Sequence, residues 1–209
     1  ITMGDQSESY AQSSWSIGKR LKNEYPEIQN FARIEPFWDV LFKYEEKVFY
    51  EDNIALADPS IFDIFSFTFI HGDPATCLKE PGNLVLTETL ARKYFDDQNP
   101  IGKTIQLGNK YDCDVTAVVE DMPRNSHMRL NAFVAIASLS VVAPEVDFDN
   151  LPLMEADCYT FLLVEDGFSL KNFMEKFKSF RTKFIVEEEK RYHQKYDPIF
   201  LKLADIHYG

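Results

Sequence analysis

No run of about eighteen apolar residues occurs in this chain, which excludes a membrane-spanning helix within it. The longest apolar stretch, FVAIASLSVVA at residues 133–143, is too short to cross a bilayer. The opening ITMGDQSE has no basic segment followed by an apolar one, so it does not read as a signal peptide. Nor does it read as a natural start, and the expectation is a piece of a longer protein. Cysteine is scarce: Cys77, Cys113 and Cys158 are widely spaced, odd in number and without a C-x-x-C pair. That disfavours a zinc site or a dense disulfide framework. Three half-buried thiols are the favoured reading, and one disulfide with one thiol left over is the alternative.

Positive charge is also short, with 22 Lys and Arg against 34 Asp and Glu for a net charge of −12. Nucleic acid and anionic bilayers repel such a chain unless a basic patch intervenes. The one candidate is Lys171, Lys176, Lys178, Arg181 and Lys183, followed at once by Glu187, Glu188 and Glu189. It reads as a solvated helix face. No nucleic-acid partner is expected.

Catalytic motifs are missing as well. Gly102-Lys103-Thr104 has the ending of a phosphate loop but only one glycine, with Pro100 upstream and a strand-like segment downstream. A phosphate cradle needs several glycines and a helix N-terminus at that point. His71, His127, His193 and His207 form no H-x-x-x-H pair, and no G-x-S-x-G elbow occurs. Glu145, Asp147 and Asp149 lack the glycine and closing glutamate of an EF-hand loop and read as a solvated acidic loop. No catalytic, cofactor-binding or metal-binding residue is assigned, and no cofactor is expected.

What the chain does hold is an ordinary globular pattern: 209 residues, 45% hydrophobic, with 18 Phe spread along it. Ala11, Trp15, Gly18, Leu21 and Tyr25 recur at helical spacing before Pro26. EIQNFARIEPF reads as a strand burying Ile28, Phe31 and Ile34, and KVFYEDNIALAD as extended chain around an Asp-Asn turn. An aromatic stripe from Ile61 to Phe69 lies between Asp58-Pro59 and Gly72-Asp73-Pro74 turns. NLVLTETLARKYF reads as a strand, then Thr87 as N-cap, then a helix with Leu90, Ala91, Tyr94 and Phe95 inward. A hairpin turns at Gly108-Asn109, and Pro123 with Asn125-Ser126 closes it. DCYTFLLVED is expected as a buried strand, and IFLKL at 199–203 as a final one. Between them Ser169 caps a helix whose inward stripe is Leu170, Phe173, Met174, Phe177, Phe180 and Phe184.

The phrases ADPSIFDIFSFTFIHGDP, LVLTETLARKYFDDQNPIGKTIQL, YDCDVTAVVEDMPRNSH and the closing LADIH resemble the MacB-type periplasmic core domain. More narrowly, they resemble its version in Bacteroidetes ABC transporter permeases with FtsX-like membrane regions. The likeness runs from about Trp15 to His207. It departs at Asp96, where the family usually has glycine, and at Leu203-Ala204, where a proline-leucine pair is common.

The resemblance implies an α+β fold of two lobes. Residues 1–57 and 156–209 would form a discontinuous porter-like α/β lobe, and residues 58–155 an inserted mixed α/β lobe, called sabre-like. It implies a domain on the periplasmic side of the cytoplasmic membrane, between the first and second transmembrane helices of a permease. It further implies a cytoplasmic ABC ATPase as partner, and a periplasmic adaptor or a second permease protomer as others. Two functions compete: coupling ATP hydrolysis to export or mechanotransmission, and sensing antimicrobial peptides for a histidine kinase. An enzyme with an unrecognised site ranks last.

Overall fold

The computed structural model describes residues 2–3, 6–7, 11–123, 126 and 128–208. Asn125 and His127 lie outside the described residues. In chain order the elements are β1 (Thr2–Met3), β2 (Gln6–Ser7), α1 (Ile17–Glu24), β3 (Ile28–Phe37), β4 (Val40–Tyr44), β5 (Lys47–Glu51) and β6 (Ile54–Ala57). There follow α2 (Ile61–Ile64), β7 (Phe69–His71), β8 (Asn83–Thr87), α3 (Glu88–Phe95), β9 (Thr104–Leu107), β10 (Tyr111–Val119) and β11 (Ala132–Ala135). The chain ends with α4 (Leu139–Val142), β12 (Tyr159–Val164), α5 (Leu170–Phe180), a π turn (Arg181–Ile185), α6 (Val186–Tyr192) and a 3-10 turn (Leu203–Tyr208). The result is a mixed α/β fold that divides into two compact units.

The middle unit is Ala32–Val146. Its strand order is β3-β6-β11-β8-β10-β9-β4-β5, with β7 also on β10. The pairs β6–β11 and β8–β10 are parallel and the others antiparallel. Helix α3 carries the crossover after β8 and buries Leu90, Ala91, Tyr94 and Phe95 against Phe42, Leu84, Leu86, Ile105, Leu107 and Val115. A sheet with one apolar face covered by an amphipathic helix is what this alternation of strand and helix patterns requires. Thr87 stands at the N-cap of α3, but its side chain makes no cap bond. Asp121 accepts from the Thr89 N–H at 3.0 Å instead, and from the Thr89 hydroxyl. The hairpin between β9 and β10 turns at Gly108 and Asn109 with φ of 57° and 61°. Phe62, Phe67, Phe69 and Phe133 meet edge to face, centroids 5.0–5.8 Å apart, so the aromatic stripe is a packed cluster.

The other unit is Ile1–Phe31 with Asp147–Gly209. The boundaries therefore fall after Phe31 and Val146, not after residues 57 and 155. The reason is register: Ile34–Phe37 of β3 pairs with β6, and β6 pairs with β11, which binds residues 32–57 to the middle unit. In the end unit β12 lies beside β3, and the Glu165 N–H donates to the Glu27 carbonyl at 3.1 Å. β12 is half-buried along its length rather than buried.

Helix α1 is shorter than its apolar spacing predicts. It begins at Ile17, and Ala11 is exposed. The segment before it is held by hydroxyls: Ser14 Oγ donates to Pro152 O at 2.8 Å and Ser16 Oγ to Leu151 O at 2.7 Å. The Ser169 hydroxyl accepts from the Asn172 N–H at 3.3 Å and caps α5. Phe173, Phe177 and Phe180 are buried on that helix, whereas Met174 is exposed and not part of the stripe. The π turn adds a residue to the helical period, so Ile185 rather than Phe184 reaches full burial. Residues 199–203 are not a strand. No strand pairs with them among the described residues, and Ile199 and Leu201 are exposed. The Phe200 ring holds the segment, 5.1 Å from Phe173 and 5.2 Å from Phe177.

Asp96 ends α3 at φ 54° and ψ −124°, a backbone region glycine tolerates and other residues enter at about 1–3 kcal/mol. Its compensation is an exposed ion pair with Lys47 at 3.0 Å, worth at most about 1 kcal/mol. Asp96→Gly is thus expected to raise stability by about 1 kcal/mol. A urea titration checks it: the midpoint should rise at unchanged slope, and a fall would mean that the Lys47 pair outweighs the strain.

Candidate functional site

Gly102-Lys103-Thr104 is the obvious place to look for nucleotide chemistry, and its donors are already engaged. The Gly102 N–H donates to Val115 O at 2.8 Å and the Lys103 N–H to Pro100 O at 3.0 Å. Thr104 opens strand β9, not a helix, and its hydroxyl donates to Asp114 Oδ1 at 2.6 Å. The Lys103 ammonium donates to Gln98 Oε1 and lies 5.3 Å from the Phe95 ring centroid. No fan of free amides faces an anion there. Calorimetry of the chain with MgATP is expected to show no binding heat, before and after Lys103→Ala. Heat that disappears in the variant would restore the phosphate-loop reading.

The other reactive side chains are likewise spoken for or scattered. All three cysteines are free and buried. Burial pushes the Cys77 thiol up to about 12 and the Cys113 thiol to about 11, so neither is a thiolate at neutral pH. His71 lies on β7 and His193 is the left-handed C-cap of α6. His127 is outside the described residues, and His207 falls in the closing 3-10 turn. Asp147 accepts from the Asn150 amide at 2.7 Å, and Asp149 pairs with Lys19 at 2.7 Å. No group of three metal-ligating side chains occurs among the described residues.

Four of the five cations in the basic cluster are neutralised, and Lys171 is exposed. Lys176 pairs with Glu27, Lys178 with Glu175, Arg181 with Glu189 and Asp197, and Lys183 with Glu24, at 2.5–2.8 Å. The hydrogen bond from Lys176 holds the Glu27 carboxyl below the usual carboxylate value. A depressed carboxylate stabilises above its unfolded pKa, and the contribution fades as pH falls through the lower folded value. Lys176→Met is therefore expected to flatten the stability loss of the wild type below about pH 4.3. Acid titrations of the melting temperature for the two proteins check this.

Two buried polar groups were not foreseen from the residues. Asp58 takes three donors from Arg33: the backbone N–H and Nε on Oδ2, each at 2.8 Å, and Nη2 on Oδ1 at 3.0 Å. Glu51 accepts from the Tyr94 hydroxyl at 2.5 Å and from Lys93 at 2.6 Å. A charged residue inside an otherwise buried strand stretch was the available signal for Arg33. Both groups are satisfied inside the middle unit and hold strands in place.

What remains open to a partner is surface. A shallow polar depression is lined by Lys43, Tyr44, Glu45, Thr104, Gln106 and Asp112. Large apolar side chains stand exposed at Trp38, Val48, Phe49 and Tyr50 around the β4–β5 hairpin, and at Ile199 and Leu201 near the C-terminus.

The family model for the MacB-like periplasmic core domain matches residues 2–180. Among solved structures, a domain of a protein assigned as a permease from Porphyromonas gingivalis superposes with a TM-score of 0.74 at 19% identity, covering 94% of this chain and 87% of that one. The periplasmic region of MacB from Actinobacillus actinomycetemcomitans gives 0.62 at 16% identity, covering 83% and 75%. The extracellular domain of the noncanonic ABC-type transporter YknZ from Gram-positive bacteria gives 0.57 at 12%, covering 90% and 88%. Comparison with curated protein sequences returned no match.

Proposed function

The chain belongs to the MacB-like periplasmic core domain family of ABC transporter permeases, and on that premise we propose that it is a coupling module without chemistry of its own. It sits between the first and second transmembrane helices of its permease. It converts ATP-driven movement of those helices into movement outside the cytoplasmic membrane, for export or mechanotransmission. The ATPase is a separate cytoplasmic subunit or domain. Further partners are a periplasmic adaptor and a second permease protomer. The unit Ile1–Phe31 with Asp147–Gly209 is assigned as the porter-like lobe, and Ala32–Val146 as the sabre-like lobe.

The observation that carries this reading is the match of the family model over residues 2–180. The engaged amides at Gly102 and Lys103 support it, because they offer no phosphate cradle at the Gly-Lys-Thr sequence. Two packed units with separate cores are also what a lever needs, since coupling runs through rigid bodies with discrete arrangements. A second reading, sensing of a cationic peptide, is favoured by the net charge of −12. Purifying the full-length permease with its ATPase separates the two. Export coupling predicts ATP turnover that falls when this domain is replaced by a short linker and does not respond to cationic peptides. Turnover indifferent to the domain would contradict the proposal.

A further inference from the structure

Helix α6 has no buried residue, whereas α1 and α5 each bury three. Its one aliphatic side chain, Val186, is half-buried, and Tyr192 is exposed. Seven residues are too few for a helix to persist alone in water. What α6 touches therefore decides whether it stays helical.

Its polar contacts outside the helix run through two adjacent carboxylates. Glu188 accepts from the Leu153 N–H at 2.6 Å and from Arg20 at 3.4 Å. Glu189 accepts from Arg181 at 2.6 Å and from the Tyr196 N–H at 2.9 Å. These two side chains are only 19% and 16% exposed, so the helix is seated on charge rather than on apolar surface. Its other ion pair, Glu187 with Lys190, stays within the helix. The four donors come from separate stretches of the chain, and both carboxylates reach them only while α6 is wound.

The flanks are fixed independently of the helix. Ile185 is fully buried before it, and after it Lys195 sits in an isolated β-bridge and Tyr196 is buried. Both ends of α6 are breaks in regular winding: the π turn on one side, and on the other His193 at φ 53°. The Arg181–Glu189 pair depends on the first break. Eight residues of unbroken α-helix would set their Cα atoms roughly 12 Å apart along the axis.

We propose that α6 is a charge-latched helix that releases and unwinds as a whole, between Ile185 and Lys195, while the phenylalanine core of α5 stays closed. Glu188 and Glu189 are the latch. Losing either seat frees the helix, and freeing the helix draws the other carboxylate from its donors. Opening uncovers little apolar surface and returns the donors to water, which makes it a local event rather than global unfolding. The inference goes beyond the coupling reading and does not depend on it.

Hydrogen exchange of the 209-residue chain, resolved by residue with NMR, tests this. The amides of Leu153, Lys190, Arg191 and Tyr196 should share one protection factor, about a hundredfold or more below those of Phe177 and Phe180. In Glu189→Ala the Leu153 amide, whose own acceptor Glu188 is intact, should lose protection about tenfold or more. In Glu188→Ala the Tyr196 amide should do the same. Glu187→Ala should leave both within about twofold of the wild type. Phe177 and Phe180 should keep their protection throughout, which also shows that each variant is folded. If each substitution released only the donor of its own carboxylate, the two would be separate structural contacts and the latch would be overturned. Protection in α6 equal to that of Phe177, or loss of protection along α5 in either variant, would overturn it as well.

Discussion

Phe177→Ala is expected to destabilise the chain by about 3–5 kcal/mol, the usual loss when a buried phenylalanine is truncated. The side chain is 4% exposed on α5. It stacks on Phe180 at 5.2 Å and meets Phe200 at 5.2 Å and Phe173 at 6.0 Å. Truncation removes aromatic contacts on several sides and opens a cavity that rigid neighbours cannot fill. Lys178→Ala, one residue on, loses only an exposed pair with Glu175 and should change stability by less than about 0.5 kcal/mol. Thermal melts of both variants beside the wild type decide the matter. If Phe177 were a docking residue for a partner, its variant would melt like the wild type and assemble poorly.

Asp58→Ala is expected to cost about 3–5 kcal/mol as well, for a different reason. Its carboxylate takes three donors from Arg33, and both side chains are about nine-tenths buried. Without it a guanidinium and a strand N–H lose their acceptor in a place with little water. Glu187→Ala is the control. Its pair with Lys190 at 2.6 Å is exposed on both sides, and its loss should stay within about 0.5 kcal/mol. Urea unfolding of the two variants should separate them widely. Equal, small losses would mean that Arg33 finds solvent once Asp58 is gone.

The two substitutions fall on opposite sides of what the residues reveal. The Phe177 stripe is legible because three buried positions at helical spacing and a capping serine are local signals. Strand β8, helix α3 and the Gly108-Asn109 hairpin are legible for the same reason. Asp58 shows its turn with Pro59, but its bond to Arg33 spans 25 residues and exists only once β3 and β6 pair. The β4–β5 turn carries no local signal, because Glu45 takes the positive-φ position that glycine usually fills. Residues 199–203 alternate like a strand, yet a strand needs a neighbour, and one aromatic side chain satisfied the segment instead. The unit boundaries depend on pairing across long separations, which no local pattern carries. The absence of a phosphate cradle at Gly102, by contrast, was readable from one missing set of glycines.

The most direct test of coupling is a distance measurement in the full-length permease assembled with its ATPase in a lipid disc. Lys110 is exposed at the β9–β10 turn, and the three cysteines of this chain are buried, so Lys110→Cys is the position to spin-label once any reactive cysteine elsewhere in the permease has been replaced. Pulsed dipolar spectroscopy then reads the separation of the two labels in a permease pair without nucleotide and with ATP under non-hydrolysing conditions. Coupling predicts two discrete distance populations whose proportions reverse when ATP binds on the far side of the membrane. One unchanged distribution in both states, with the ATPase fully active, would contradict it.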